Sequence, residues 1–292
     1  MSQQNSMTDV SLEGNKVPTS MTQIGIITKY EMRNYFRSRR FFILLGLGLA
    51  IEALLTFLVY HDGGSSGFVN GLQFYSTWWG DSATYIVIFS AIFFGGDAIS
   101  GEFQNKTGYF LVGNPIRRAS IYIGKWFAAT AASLIIVGIG TAICLANGLY
   151  YFGTSVPYQF GESLIFTLVF LIAALGLTFL FSCTFKSSSF SILVSVILLL
   201  FGFTVIQELL SIFVHIEPWF LLSYGSQIIG NILMATYPAH TTTGLGFGGR
   251  HGAAISVTMY NATVPEGLLI MLIYFAVTAV LGLVLFERKE FN

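Results

Sequence analysis

The sequence predicts an all-α integral membrane protein with six transmembrane helices and both termini on the cytosolic side. Three observations predict it. Hydrophobic residues make up 54% of the chain and charged residues only 10%, less than half the charged share of an ordinary soluble domain. Apolar runs of about 20 residues, each long enough to cross a hydrocarbon core of roughly 30 Å, recur along the chain. When these runs are threaded alternately through a bilayer, all but one of the 14 Lys and Arg residues fall on one side. The net charge is zero, so no overall field draws the chain towards nucleic acid.

The elements follow in order. Residues 1–20 are polar and lack the apolar stretch of a cleaved signal peptide, which predicts a disordered cytosolic tail and leaves the first span as the insertion signal. Residues 21–40 predict an amphipathic interfacial helix. Lys29, Arg33 and Arg37 recur at i, i+4 and i+8, with Ile24, Ile27 and Tyr35 on the other side. Such a helix rests in the inner headgroup layer with its cations towards anionic membrane lipid. The transmembrane domain, 41–292, holds spans at 41–60, 82–99, 121–150, 163–185, 190–215 and 267–286, the third long enough to project beyond the bilayer. Cys144 and Cys183 fall inside spans with no CxxC spacing and read as buried apolar thiols. Gly46 with Ala50, and Ala128 with Ala132, are small pairs that permit close helix contact.

With both termini inside, the inner side holds Lys16, Lys29, Arg33, Arg37, Arg39, Arg40, Lys106, Arg117, Arg118, Lys125, Lys186, Arg288 and Lys289, and only Arg250 lies outside. This orientation also decides the reading of residues 218–237, which are nearly long enough for a seventh span. A full crossing there would invert the last span and carry residues 287–290 outside. The stretch therefore reads as an interfacial or re-entrant helix within an outer segment at 216–266, its apolarity diluted by Ser223, Ser226, Gln227 and Asn231.

Several kinds of chemistry find no support. There is no GxxxxGK[ST] phosphate loop, and the Gly124-Lys125 pair is followed by Trp126, so this chain cannot handle ATP alone. GLGFGG at 244–249 fits GxGxxG but reads as a flexible outer loop without a strand before it or a helix after it. His215, Glu217, His240 and His251 share the outer side at spacings that match no metal-ligand pattern.

The intramembrane acids are more informative. Glu52 lies ~18 Å into the first span, and Glu208, preceded by Gln207, lies roughly two turns from the outer end of the fifth. A carboxylate at mid-depth costs on the order of 2.5 to 3.5 kcal/mol by insertion scales, so it should face protein or water. These three residues are candidates for the lining of a transport path or a dimer seam; a protonated carboxyl bonded inside the bundle is the alternative.

The cytosolic loop at 99–120 is long for a turn and too short for a domain. Asn114 before Pro115 reads as a helix cap that starts the third helix below the membrane surface. Tyr109, Phe110, Leu111 and Val112 form an apolar cluster rimmed by charge, the composition of a docking surface.

The stretch GEFQNKTGYFLVGNPIRRASIYIGKW resembles the loop between the second and third spans of ABC-2 type transporter permeases. In that family an acidic residue, a Lys-Thr-Gly step, a short helix, a Pro-x-x-Arg turn and a Gly-Lys pair recur. Here these are Glu102, Lys106 to Gly108, Pro115 with Arg118, and Gly124 with Lys125. The resemblance implies a transmembrane, non-catalytic subunit in the plasma membrane that exports a substrate. It also implies pairing with a second copy or a related chain, and a separate ATPase dimer that binds the ATP and Mg. By the same likeness the loop is a coupling helix, with Glu102, Thr107, Tyr109 and Arg118 against the ATPase and Lys186 at a smaller second contact. An ATPase-independent channel or carrier, or a scaffold anchoring a cytosolic complex, are the alternatives; a neighbouring reading frame with a phosphate loop would favour the exporter.

Overall fold

A computed structural model describes residues 19–61, 64–105, 116–246 and 254–289 of the chain. Residues 1–18 of the expected tail, and the stretch 106–115 that carries Thr107 and Tyr109, lie outside the described residues, and residues 19 and 20 open a helix instead. Six helices are long and apolar enough to cross a membrane: Arg39–His61, Gly71–Gln104, Arg118–Phe152, Tyr158–Thr184, Ser188–Val214 and Val264–Arg288. These are spans one to six. A leading helix, Ser20–Arg37, precedes them. It lies at the same end of the bundle as Lys289, termed here the basic end; the other is the hairpin end.

The leading helix buries Gln23 and Ile27 and exposes Lys29, Arg33 and Arg37, the division its periodicity predicts. Its buried face meets the start of span three. Gly124 permits that approach, since a Cβ there would lie 2.8 Å from the Ile27 Cβ, and Thr28 Oγ1 donates to the Gly124 carbonyl at 3.1 Å.

Several boundaries differ from the sequence expectation for local reasons. Span two begins at Gly71 rather than 82, because Asn70 accepts the Gln73 N–H at 2.9 Å and starts a helix there. The aromatic run that follows is buried, with Phe74, Tyr75, Trp78 and Trp79 at most 4% exposed, stacked on rings such as Phe152 and Phe160. Span three begins at Arg118, and the expected Asn114-Pro115 cap lies outside the described residues. Arg117 takes the capping position with no side-chain bond of its own, and its N–H instead donates to Gln23 Oε1 of the leading helix at 3.2 Å. Span six starts at Val264 behind a capping box of Thr263 and Glu266.

The stretch 218–237 is two short helices, Leu222–Ser226 and Ile228–Asn231, instead of the single helix expected. Leu222, Tyr224, Ile228, Ile229 and Leu233 are fully buried, and the Ser163 hydroxyl of span four donates to the Ile229 carbonyl at 2.6 Å. After them Thr241–Gly246 and Ala254–Met259 pair antiparallel, Thr241 opposite Met259 and Gly246 opposite Ala254. Residues 244–246 are thus strand, which corrects the reading of the glycine-rich run as loop; its remaining residues fall outside the described ones.

Spans two and four form the centre, each with 61% of its apolar window buried, against 11% for span one and 22% each for spans five and six. The outer three therefore offer most of their apolar surface to lipid or to another chain. Small residues set the central packing, though not all of those expected. Gly46 meets nothing within 4 Å and faces away from the bundle, whereas Ala128 and Ala132 are fully buried. Among the tight approaches are Gly95 of span two on Thr178 of span four, Gly176 of span four on Thr278 of span six, and Gly148 of span three on Tyr75 of span two. Cys144 and Cys183 are free and buried.

Candidate functional site

The basic end is built around one buried cation. Lys125, the residue directly after Gly124, is 3% exposed, and its Nζ donates to Glu31 Oε1 of the leading helix at 2.6 Å and to Glu102 Oε1 at 2.8 Å. Glu102 lies on the short helix Ser100–Gln104 that ends span two. Three separate elements thus converge on one ammonium. Beside it Arg40 pairs with Asp97, and the Tyr35 hydroxyl donates to the Phe94 carbonyl at 2.9 Å. Burial, reinforced by Glu31 and Asp97, holds the Tyr35 phenol well above its ordinary pKa, so it stays a donor. Glu31, Tyr35, Arg40, Asp97, Glu102 and Lys125 wall a polar cleft of about 270 Å³.

Ser100–Gln104 is also fastened to the next two spans. The Ser182 hydroxyl of span four accepts the N–H groups of Ile99 and Ser100 at 2.8 and 2.9 Å, and Gln104 Oε1 accepts the Ser188 N–H at the start of span five at 2.8 Å. On the other flank, Arg118 Nη1 donates to the carbonyls of Glu287 and Lys289 at 2.8 and 2.9 Å. Lys289 Nζ caps the end of span four through the Cys183 and Phe185 carbonyls at 2.6 and 3.1 Å and sits 4.2 Å above the Phe103 ring. Burial keeps the Lys289 pKa below its ordinary value. The stretch 106–115 therefore leaves and re-enters a platform in which spans two, three, four, five and six are cross-bonded.

The sequence candidates are distributed as follows. Glu102 and Arg118 are both in this platform, and Lys186 is exposed beside it, between spans four and five. Thr107 and Tyr109 belong to the stretch outside the described residues. Glu52 is 3% exposed among spans one to three, where Trp78 Nε1 donates to its Oε2 at 2.8 Å. Gln207 accepts the Ser223 hydroxyl at 2.8 Å, and Glu208 is exposed on span five. Glu52 and Gln207 consequently occupy separate neighbourhoods. The sequence reading missed Glu31, Gln23, Gln104 and Trp78, and it treated Lys125 chiefly as a topology marker. The one available signal was Lys125 standing a turn inside an apolar run directly after a glycine.

Among the described residues no group of three or more His, Cys, Asp or Glu side chains could hold a metal ion. The pattern that defines ABC-2 family transporter proteins matches residues 26–291, which takes in the leading helix from Ile26 onward and all six spans. The chain belongs to the ABC-2 family. No curated protein matches it. Membership, with six apolar helices, makes the chain a multi-pass membrane permease of the ABC transporter class. In this permease the cross-bonded platform occupies the position, between the second and third spans, where the sequence places its family motif.

Proposed function

We propose that the permease is the membrane half of an exporter in the plasma membrane, with both termini cytosolic. Two copies, or this chain and a related one, pair around the path, and a separate ATPase dimer binds ATP and Mg beneath them. The observation that carries this reading is the platform: a push delivered by the ATPase to residues 106–115 would reach span three through Lys125, span four through Ser182 and span five through Ser188. Thr107 and Tyr109 contact the ATPase directly, with Lys186 as a second contact; Glu102 and Arg118 transmit the displacement from positions already bonded within the chain. The packing of the spans is then the two-state element that the partner biases. The leading helix rests on the inner lipid headgroups through Lys29, Arg33 and Arg37.

Affinity purification from the native membrane tests this. A chain carrying a phosphate loop should come down with the wild-type permease and be lost with Tyr109→Asp or Lys186→Glu, while insertion and elution volume stay unchanged. Recovery of the permease with no such partner would overturn the reading.

Glu52, Gln207 and Glu208 belong to the path or its seam. Glu208 stands on the exposed face of span five, about 9 Å from the end of the span, at a depth where lipid does not tolerate a carboxylate. A second chain should therefore cover it. Cys144 and Cys183 are the only two cysteines, so their replacement by Ala gives a clean background. In it, oxidised Glu208→Cys is expected to run as a cross-linked dimer, whereas Leu168→Cys on the exposed side of span four should remain monomeric. Equal behaviour of the two would remove Glu208 from the seam.

A further inference from the structure

Spans one, two and three leave between them an apolar cavity of about 230 Å³, walled by Leu44, Gly48, Tyr85, Ile86, Ile139 and Gly140. One carboxyl group, that of Glu52, is among its lining residues. Glu52 has one oxygen satisfied by Trp78 at 2.8 Å, but its Oε1 is buried with no hydrogen-bond partner. That oxygen lies beside Gly140 at the wall of the cavity, where a Cβ would stand 3.4 Å from it. No Lys, Arg or His lines the space. A buried carboxylate oxygen left without a donor is costly in this medium, and a ligand that brings the donor offsets that cost.

We propose that this cavity binds a hydrophobic amine drawn from the bilayer, its ammonium on Glu52 Oε1 and its aliphatic tail against Leu44, Ile86 and Ile139. The charge selects an ammonium over an alcohol, because a charge-assisted bond to the carboxylate is about twice as strong as a neutral one. Apart from Glu52, Ser82 and Tyr85 the lining is apolar and holds no second charge, which excludes polyamines and other multiply charged molecules. Tyr85 at 56% and Leu47 at 45% exposure flank the opening, so entry is from the apolar flank of the bundle. The volume lies below that of drug-sized pockets, about 300–1,000 Å³, which suits a short-tailed amine.

The inference names a substrate class for the path and rests on the permease reading for its link to transport, but binding itself does not depend on an ATPase. The test therefore uses the full chain in phosphatidylcholine nanodiscs without nucleotide or partner. A diazirine-bearing octylamine is photolysed and its adducts mapped by peptide mass spectrometry. Labelling is expected at 44–52, 82–89 and 136–143, competed by octylamine and not by octanol. Glu52→Gln should reduce it at least about tenfold, equivalent to 1.4 kcal/mol. Ile139→Trp, which narrows the cavity and keeps the carboxylate, should abolish it and decides the matter if Glu52→Gln does not fold. Equal competition by octanol, or undiminished labelling in either folded variant, overturns the proposal as mere lipid-like partitioning. Intact labelling without ATP-driven transport of the amine would overturn the amine as the transported substrate and leave the binding site and the permease reading standing.

Discussion

Lys125→Met is expected to destabilise the permease by about 3–5 kcal/mol, the loss found when one partner of a buried ion pair is removed and the other charges stay behind. The geometry places Lys125 at the high end of such effects. Its side chain is 4% exposed, and those of its partners Glu31 and Glu102 are 13% and 20% exposed, so little water is available to replace the lost ammonium. Two carboxylates bonded to one nitrogen at 2.6 and 2.8 Å would then face each other with only repulsion between them. The leading helix and Ser100–Gln104 should part from span three, although the apolar spans remain inserted. Two measurements check this: a thermal melt of the detergent-solubilised protein, and protease cleavage between the leading helix and span one. The triple variant Lys125→Met, Glu31→Gln, Glu102→Gln removes all three charges at once and should recover most of the stability. A triple variant no more stable than the single one would mean that the cluster is not what holds these elements together. Coupling should respond differently, since the recovered triple variant lacks the charge-assisted bonds through which a push on residues 106–115 reaches span three. Its ATPase stimulation is expected to stay low even where its melt returns.

The spans were legible because hydrophobic length is a one-dimensional property; each of the six was placed, with errors at the ends alone. The largest end error, the start of span two, arose where Tyr75, Ser76 and Gly80 break the apolar run of a segment that Phe68, Phe152 and Phe160 bury from other parts of the chain. Nothing in the local sequence carries that information. The stretch 218–237 was misjudged as one helix for the same reason, since its packing depends on distant contacts such as Gly230 against the Gly80 backbone, where a Cβ on Gly230 would meet the Gly80 carbonyl oxygen at 3.3 Å. The platform was half legible. Glu102, Arg118 and the loop could be singled out from composition and family likeness, but Glu31 and Lys125 stand 94 positions apart, and pairing at that distance follows from the fold. Hydrophobic periodicity did place the leading helix correctly, because Ile27 and Lys29 report opposite faces within a single turn.

Gly95→Leu is expected to prevent the central bundle from closing at all, and Gly95→Ala to cost about 1–3 kcal/mol through overpacking. Spans in a bilayer gain nothing from hiding apolar surface from lipid tails, so their association depends on close contact where small residues allow it. A Cβ on Gly95 would lie 2.2 Å from Thr178 Oγ1, 3.1 Å from Thr178 Cβ and 3.3 Å from Leu175 Cδ2. Thr178 cannot turn aside: its Cβ is branched, so rotation that removes the hydroxyl brings the methyl towards the same place, and the hydroxyl is held by the Leu175 carbonyl at 3.0 Å. The contact also sits in series with another, because Gly176 on the far side of span four packs on Thr278 of span six, where a Cβ would lie 2.5 Å from its Oγ1. A wedge between spans two and four therefore displaces the helix on which span six closes. Adding Thr178→Ala to Gly95→Ala removes the 2.2 Å clash and leaves the 3.1 Å contact, which a small shift accommodates, so at least half of the lost melting temperature should return. Elution as a sharp peak by size exclusion and the melting midpoint together check the outcome. If Thr178→Ala restores nothing, the spans meet at Gly95 in some other way and the order of packing from span two through four to six is wrong.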